Sequence, residues 1–460
     1  MNFEYLDAPE CSYEENKKQM ESALKTVMSI FDKNPEFLDY LTDRLIEIGD
    51  SVPEDLDKEE IFDKNPIKDE ELYDFKNYPV YLKPGEKAPN SQGMSIFGSY
   101  INTWCKKKYG RPLFFAASAD LAGSTRINGF SKGFGGEEGF GTYNRETNKK
   151  GVLLPQAITE FANAGIMTGI ATVNLDKNPF ENFNGFYSVS STYGSFAYLK
   201  YGAMRIFSQM QQDCQIKLGK TIWISGHSGP ETAEDSRTHF GIFPPGVTQL
   251  FPKGHVINLH PFEHNEVPVV LAAALKTDIP IIALHLTRPD IEIPDRTALG
   301  MPSHFEAAKG IYVIRDYDEN KEKQGVIIVR GTKTTSNLLA LLPKIKEQDL
   351  NVKILAAISN ELFEMQSKEY QNSVISEKEW FDLMIITNTA IKLMGDFIKH
   401  PIVKEYSMSP DWDNRWRTGG TLDQVMDESH LSKEWIWKGI VKFVEDRKKR
   451  AKRLKESLWI

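Results

Sequence analysis

The stretch TIWISGHSGPETAEDSRTH, Thr221–His239, joins an apolar run to a strongly polar one. The apolar run, TIWIS, predicts a short strand that is buried on both faces. The polar run that follows carries two histidines, several carboxylates and an arginine beside small turn residues. In a parallel α/β sheet, ligands bind at the carboxyl ends of the strands. This stretch therefore predicts such a sheet, with functional side chains directly after one of its strands.

Short apolar runs of the same kind recur along the chain and alternate with helical stretches. This alternation predicts a parallel α/β sheet and, from about residue 307, a second and smaller α/β domain. The runs of the first domain are PLFFAASAD (112–120), GIMTGIATVNL (165–175), KTIWISG (220–226), HVINLHP (255–261) and IPIIALHLT (279–287). Those of the second are GIYVIRDYD (310–318), GVIIVRGT (325–332) and VKILAAIS (352–359).

The first ninety residues differ in texture from the rest of the chain. They are acidic, and they contain two amphipathic helical patterns, SYEENKKQMESALKTVMSIF from Ser12 and NPEFLDYLTDRLIEIG from Asn34. Ser12 is a suitable N-cap for the first. We therefore expect a helical linker arm over 1–90, a first α/β domain over 91–306 and a second over 307–460.

Composition narrows the class of protein. The 460 residues carry a formal net charge of −8 and only three cysteines, Cys11, Cys105 and Cys214, which form no CxxC pair. This pattern fits a reducing, cytoplasmic location without structural disulfides. The acidic balance argues against a nucleic-acid partner. No apolar run approaches the length of a membrane span, and no signal peptide is expected.

The polar run admits several interpretations when it is taken alone. Gly226–Pro230 reads GHSGP, but a hydrolase nucleophile elbow needs G-x-S-x-G, so a serine hydrolase is disfavoured. His227, Glu234, Asp235 and His239 lack the spacing of a complete metal site, so no metal ligands are expected from this chain. A polar loop with two hydrogen-bonded histidines remains open. The glycine-rich stretch GFSKGFGGEEGFG (129–141) reads as a flexible active-site loop or a surface loop rather than a dinucleotide loop.

Two further stretches carry candidate residues. ITEFANAGIMTGIA (158–171) places Glu160 at the start of a helix of small residues, where a carboxylate favours the helix dipole. FYSVSSTYGSFAYLKYGAMR (186–205) reads as an apolar helix carrying Tyr193 and Phe196. Aromatic residues at such positions are usually part of a core.

Taken together and in this order, these segments resemble transketolase. The arm resembles the segment that joins that family's diphosphate-binding and pyrimidine-binding domains. The other matching segments are SADLAGST (118–125), ITEFANAGI (158–166), STYGSF (191–196), HSGPETAEDSRTH (227–239), LTRPDI (286–291) and NELFEMQSKEYQNSVI (360–375). The resemblance implies a pyrimidine-binding domain of thiamine-diphosphate enzymes, followed by the smaller transketolase C-terminal domain.

The resemblance also implies a partner. The family's diphosphate-binding domain carries a Gly-Asp-Gly…Asn motif for magnesium, and the nearest match here, GDS at 49–51, has the wrong third residue. A separate N-terminal subunit is therefore expected to supply the Mg²⁺ ligands and the diphosphate site of thiamine diphosphate. Because this family builds each active site between protomers, the resemblance implies an α2β2 assembly that is active only when both subunits are present.

Roles for individual residues follow from the resemblance alone. Glu160 would bond N1′ of the aminopyrimidine, while Asp120 would lie near the thiazolium ring. Tyr193 and Phe196 would stack on the pyrimidine. Asp235 would bind the donor's C2 hydroxyl, and His239 would bind its C1 hydroxyl and move protons. The distal anion of the sugar would be held by Ser124, His227 and Arg288.

The substrate implied is a ketose whose two-carbon ketol unit passes to an aldose. The family has an arginine before a Ser-Gln pair, but KAPNSQ, Lys87–Gln92, lacks it. Arg126 or Arg237 would have to compensate, or the donor is a sulfo-ketose such as sulfofructose rather than a ketose phosphate. The alternatives are a 2-oxoacid dehydrogenase β subunit or similar enzyme half, and a non-catalytic scaffold subunit with the same fold.

Overall fold

The computed structural model describes residues 12–51, 63–155, 157–232, 238–239 and 241–457. The chain divides into two compact units, Met1–Glu60 and Ile61–Ile460. In the first unit the described residues form the helices α1 (Tyr13–Lys33) and α2 (Pro35–Asp50). Ser12 and Glu15 form a reciprocal capping box at the start of α1, which confirms the predicted cap. Both predicted helices of the arm are thus confirmed.

The second unit contains two main sheets and a short ribbon. Its described strands are β1 (Lys87–Ala88), β2 (Phe114–Ser118), β3 (Tyr187–Tyr193), β4 (Thr221–Gly226), β5 (Val256–Leu259), β6 (Ile281–His285), β7 (Ile291–Glu292), β8 (Ile311–Arg315), β9 (Val326–Arg330), β10 (Lys353–Ala357) and β11 (Leu383–Thr387). Its described helices are α3 (Asn90–Tyr109), α4 (Glu160–Thr172), α5 (Tyr201–Asp213), α6 (Pro244–Thr248), α7 (Glu266–Leu275), α8 (Thr332–Leu339), α9 (Leu342–Glu347), α10 (Asn360–Glu364), α11 (Lys368–Val374), α12 (Pro401–Tyr406), α13 (Leu422–Glu428), α14 (Lys433–Glu445) and α15 (Arg447–Ser457).

The larger sheet is entirely parallel, in the order β2-β3-β4-β6-β5. Its central strands β3, β4 and β6 are buried along their whole length. The smaller sheet has the order β11-β9-β10-β8, with β8 antiparallel at the edge. β1 and β7 form the ribbon. The predicted α/β architecture is confirmed, whereas the three-part division of the chain at residues 90 and 306 stays a prediction.

Two local predictions are wrong. GIMTGIATVNL is not a strand: most of it belongs to α4, in which Ala164, Met167 and Ala171 are buried at helical spacing while Ile166 is exposed. The stretch around Tyr193 is not a helix, because Tyr187–Tyr193 is the strand β3 and Phe196 lies in the short 3-10 turn that follows it. The serines of β3 are buried, and Ser188 and Ser191 hydrogen-bond to Thr221 and Thr125 on other elements, which only the folded sheet provides.

A buried ion cluster joins the two sheets. Arg296 donates hydrogen bonds to Glu263 at 2.9 Å and to Glu266 at 3.0 Å. Tyr312, on β8 of the smaller sheet, donates to the same Glu266 oxygen at 2.6 Å. Burial raises the pKa of Glu266 to about 7, although Arg296 acts in the opposite direction.

Among the residues described, no helix is long and apolar enough to cross a membrane.

Candidate functional site

The predicted site residues gather at the carboxyl edge of the parallel sheet. β2 ends at Ser118, shortly before Asp120 and Ser124, and β4 ends at Gly226, directly before His227. Tyr193 is the last residue of β3, which runs between these two strands. Parallel strands end at one edge, so side chains that are far apart in sequence meet there.

Glu160 is held at the first position of α4 and is 8% exposed. The hydroxyl of Thr192, one residue before Tyr193, donates a hydrogen bond to its Oε1 at 3.1 Å. The side chain of Asn163 donates to the backbone oxygen of Ser118 at 3.0 Å, which fixes the start of α4 to the end of β2. Contacts with β2 and β3 thus fix the Glu160 carboxyl beside β3.

A fully buried lysine lies behind this carboxyl. Lys200 lies in the turn after β3, and its ammonium is 3.5 Å from the backbone oxygen of Ile224 on β4. Burial lowers the pKa of Lys200 well below its usual range, while the negative charge of Glu160 acts to raise it.

An aromatic cluster covers the centre of the edge. The ring of His227 stacks on Tyr193 with centroids 3.8 Å apart, and His239 meets Tyr193 edge-on at 5.5 Å and Phe196 at 6.1 Å. The Tyr193 hydroxyl donates to Ser124 Oγ at 3.0 Å. Five of the predicted residues are therefore brought into one cluster.

Backbone conformations at this edge are unusual. Asp120, Arg126 and His227 all have positive φ, at 61°, 59° and 54°. Residues other than glycine rarely adopt this left-handed conformation. Strained backbone conformations of this kind occur preferentially at functional sites. Asp120 is exposed, and its loop is held down by Thr125, whose hydroxyl lies 2.8 Å from that of Ser191 on β3.

The remaining predicted residues lie as follows. Arg288 is exposed, three residues after the end of β6. The KAPNSQ stretch lies next to Arg288, because the side chain of Asn90 accepts a hydrogen bond at 2.9 Å from the backbone amide of Thr287, the residue before Arg288. Arg126 is partly buried in the loop after β2. Asp235 and Arg237, like Glu234 and Cys11, lie outside the described residues.

No family model matches this chain. It is 26% identical over 304 residues to the transketolase of Staphylococcus aureus, covering 65% of this chain and 40% of that protein. It is 25% identical over 268 residues to transketolase 1 of Candida albicans, covering 58% of this chain and 35% of that protein. The chain is thus similar in sequence to transketolases over more than half of its length. It spans less than half the length of these curated relatives.

Solved structures of transketolases share the fold. The transketolase of Pichia stipitis in complex with sedoheptulose-7-phosphate superposes with a TM-score of 0.61 at 18% identity, over 95% of this chain and 54% of that one. The Campylobacter jejuni transketolase gives 0.58 at 18% identity, over 81% and 50%. The chain fits the C-terminal part of a transketolase.

Transketolases imply thiamine diphosphate and a divalent metal as cofactors. The residues present fit the pyrimidine end of that cofactor, since a carboxyl held by Thr192 can face a ring nitrogen and Phe196 is only partly buried. One face of Tyr193 is covered by His227, so a cofactor ring can use only the other. Among the described residues, no group of three or more His, Cys, Asp or Glu side chains is arranged to hold a metal.

Two residues escaped the sequence reasoning. Thr192 directly precedes Tyr193, and only the pairing of β3 with its neighbours shows that it faces Glu160. Glu231 lies inside the opening polar stretch, yet it is completely buried and burial raises its pKa to about 7. Its position between small and polar residues gave no sign of this, because its hydrogen-bond donors come from the far end of the chain.

Proposed function

We propose that this chain is the C-terminal subunit of a thiamine-diphosphate-dependent split transketolase, which transfers a two-carbon ketol unit from a ketose donor to an aldose. The observation that carries the proposal is the buried Glu160, held by Thr192 beside the cluster of Tyr193, Phe196 and two histidines. The sequence similarity to transketolases supports the same chemistry.

In this proposal each residue acts at a stated atom. When bound, thiamine diphosphate supplies the carbon nucleophile that cleaves and carries the ketol unit. The buried Glu160 carboxyl would hydrogen-bond to N1′ of the aminopyrimidine. Phe196 and the open face of Tyr193 would support the pyrimidine ring, and Asp120 would lie near the thiazolium.

The donor would lie against the loop after β4. Asp235 binds its C2 hydroxyl, and His239 binds its C1 hydroxyl and carries protons during cleavage. Ser124, His227 and Arg288 hold the distal anion, for which the planar guanidinium of arginine is suited. KAPNSQ lacks the arginine that the family has before its Ser-Gln pair, which favours testing a sulfo-ketose beside a ketose phosphate.

An exposed apolar surface beside Glu160 supports a partner subunit. α4, α5 and the turns next to them expose large apolar side chains, with Ile158 77%, Phe161 58%, Tyr198 58% and Ile206 56% exposed. Apolar patches of this kind mark interaction sites. We assign this surface to an N-terminal transketolase subunit that brings the diphosphate site and the Mg²⁺ ligands, in an α2β2 assembly.

Cofactor binding by calorimetry tests the proposal. Thiamine diphosphate with Mg²⁺ is titrated into this chain alone and into its mixture with the product of the neighbouring gene, a candidate N-terminal subunit. We expect tight binding only in the mixture, followed by ketol transfer from phosphorylated or sulfonated ketoses. Equally tight binding by the chain alone would contradict the split arrangement, and absence of binding in the mixture would contradict the assignment of this partner.

A matched pair of substitutions tests the aromatic contacts. Phe196→Ala should weaken thiamine diphosphate binding by about 10-fold, because a ring contact contributes roughly 0.5–1.5 kcal/mol beyond its buried area. Tyr193→Phe should change the Kd less than about 2-fold, since the ring remains and only the bond to Ser124 is lost. The same titration measures both. If Phe196→Ala changes the Kd as little as Tyr193→Phe does, the cofactor does not contact Phe196.

A further inference from the structure

Glu231 connects the loop after β4 to the smaller sheet. We call residues 227–243 the β4 loop; of these, 227–232, 238–239 and 241–243 are described. Glu231 is 0% exposed and lies four residues after His227. Its carboxylate accepts hydrogen bonds from Asn388 Nδ2 at 3.0 Å and from Thr334 Oγ1 at 3.3 Å. Asn388 directly follows β11, and Thr334 lies on α8.

The second limb of the β4 loop is held by the same part of the chain. The backbone amide of Ala390, two residues after Asn388, donates to the oxygen of Ile242 at 2.9 Å. The two limbs also bond to each other, because the amide of Gly229 donates to the oxygen of Gly241 at 2.9 Å. The segment Asn388–Ala390 thus contacts the β4 loop on both limbs.

The contact around Glu231 leaves no spare room. Gly229 has φ +86°, and a Cβ there would collide with the Glu231 carboxylate and lie 2.5 Å from Asn388 Nδ2. A Cβ on Gly331 would lie 2.6 Å from Asn388 Cγ. Burial raises the pKa of Glu231, and the hydrogen bonds from Asn388 and Thr334 lower it. The Glu231 carboxyl is therefore held by hydrogen bonds. No described cationic side chain forms an ion pair with it.

From this geometry we propose that Glu231 is a positioning residue, which fixes the β4 loop against the smaller sheet and so sets His227 and His239 for the sugar donor. This inference rests on the proposed function. It assigns the C-terminal sheet a part in substrate binding, although Asn388 and Thr334 are not assigned any contact with the sugar. The residue that Glu231 positions most directly is His227, because the His227 ring stacks on Tyr193 and its backbone precedes the turn that Glu231 anchors.

Steady-state kinetics of the reconstituted complex test the inference. Glu231→Ala should lower kcat/KM for the donor by about 10–100-fold and leave the Kd of thiamine diphosphate within about 2-fold, since Glu160 and Phe196 lie on other elements. Glu231→Gln should restore most of the activity. The Asn388 side-chain oxygen is buried without a partner among the described residues, and it can accept from the new amide once Asn388 turns. Asn388→Leu should resemble Glu231→Ala.

A second measurement does not depend on activity. Hydrogen exchange of the chain should show faster exchange at the amides of Gly229, Gly241 and Ala390 in Glu231→Ala, with unchanged exchange in α3 and α7. Glu405→Ala, at a partly exposed pair with Arg453, is the matched control and should leave kinetics and exchange unaltered. If the wild-type complex transfers no ketol unit, the proposed function fails while the exchange result still decides this inference. Unchanged exchange in Glu231→Ala, or a Gln variant as impaired as the Ala variant, would overturn it.

Discussion

Replacing Glu160 by alanine should remove ketol transfer by the reconstituted complex, with kcat lowered roughly 10²–10⁴-fold. The carboxyl is buried at the start of α4 and is oriented by Thr192, and the substitution removes the contact proposed for it with the pyrimidine. The measurement is kcat with saturating donor and acceptor. Thr192→Val should give a smaller loss, about 10-fold, because the carboxyl remains but loses its orienting hydrogen bond.

The control for this prediction is a glutamate that also lies in the first turn of a helix but is exposed. Glu36 lies in the first turn of α2 and is exposed, so Glu36→Ala should leave kcat unchanged. Full activity in the Glu160→Ala complex would show that the enzyme proposal is wrong. It would favour the non-catalytic scaffold subunit.

Replacing Arg296 by leucine should have the largest effect on folding, about 3–5 kcal/mol of lost stability. The change leaves Glu263 and Glu266 buried without their shared cation, between the two sheets that the cluster joins. The midpoint of urea unfolding measures the loss. The loss should be smaller at pH 5 than at pH 8. Burial already raises the folded-state pKa of Glu266 to about 7, and loss of the Arg296 charge raises it further above the unfolded value, so stability falls as the pH rises through that range.

Arg453→Leu is the matched control for this change. Arg453 likewise pairs with a glutamate: two of its nitrogens donate to Glu405. This pair, however, is partly exposed. Exposed pairs contribute at most about 1 kcal/mol, so the unfolding midpoint should scarcely move. Equal losses in the two variants, or a loss for Arg296→Leu that is independent of pH, would contradict the assigned role of the buried cluster.

The sequence predicted those strands whose signal is local. Runs such as Thr221–Ser225 are apolar throughout because both faces of the strand are buried, and such runs can be read without the fold. β3 was mistaken for a helix because three of its seven buried residues are serines, two of which hydrogen-bond to Thr125 and Thr221 on other elements. α4 was partly mistaken for a strand because the run GIMTGIATVNL contains several β-branched residues, which favour strands.

The candidate site shows the same division. The order of short segments was enough to single out Glu160, Tyr193 and His227, and the structure places the last two in contact. Thr192 and Glu231 act through partners 32 and 157 residues away, so no local pattern reveals them. The roles of the site residues and the phosphate or sulfonate preference stay predictions.

The left-handed backbone at Asp120, Arg126 and His227 has a consequence for attempts to make this protein more heat-resistant. Each of these residues holds a conformation that costs a side-chain-bearing residue roughly 1–2 kcal/mol and costs glycine little. Random mutagenesis screened only for survival at high temperature would therefore select glycine at these positions. Such variants would melt later, and they would remove side chains from the edge at which the sugar is proposed to bind. A screen that rewards turnover as well as endurance would retain all three.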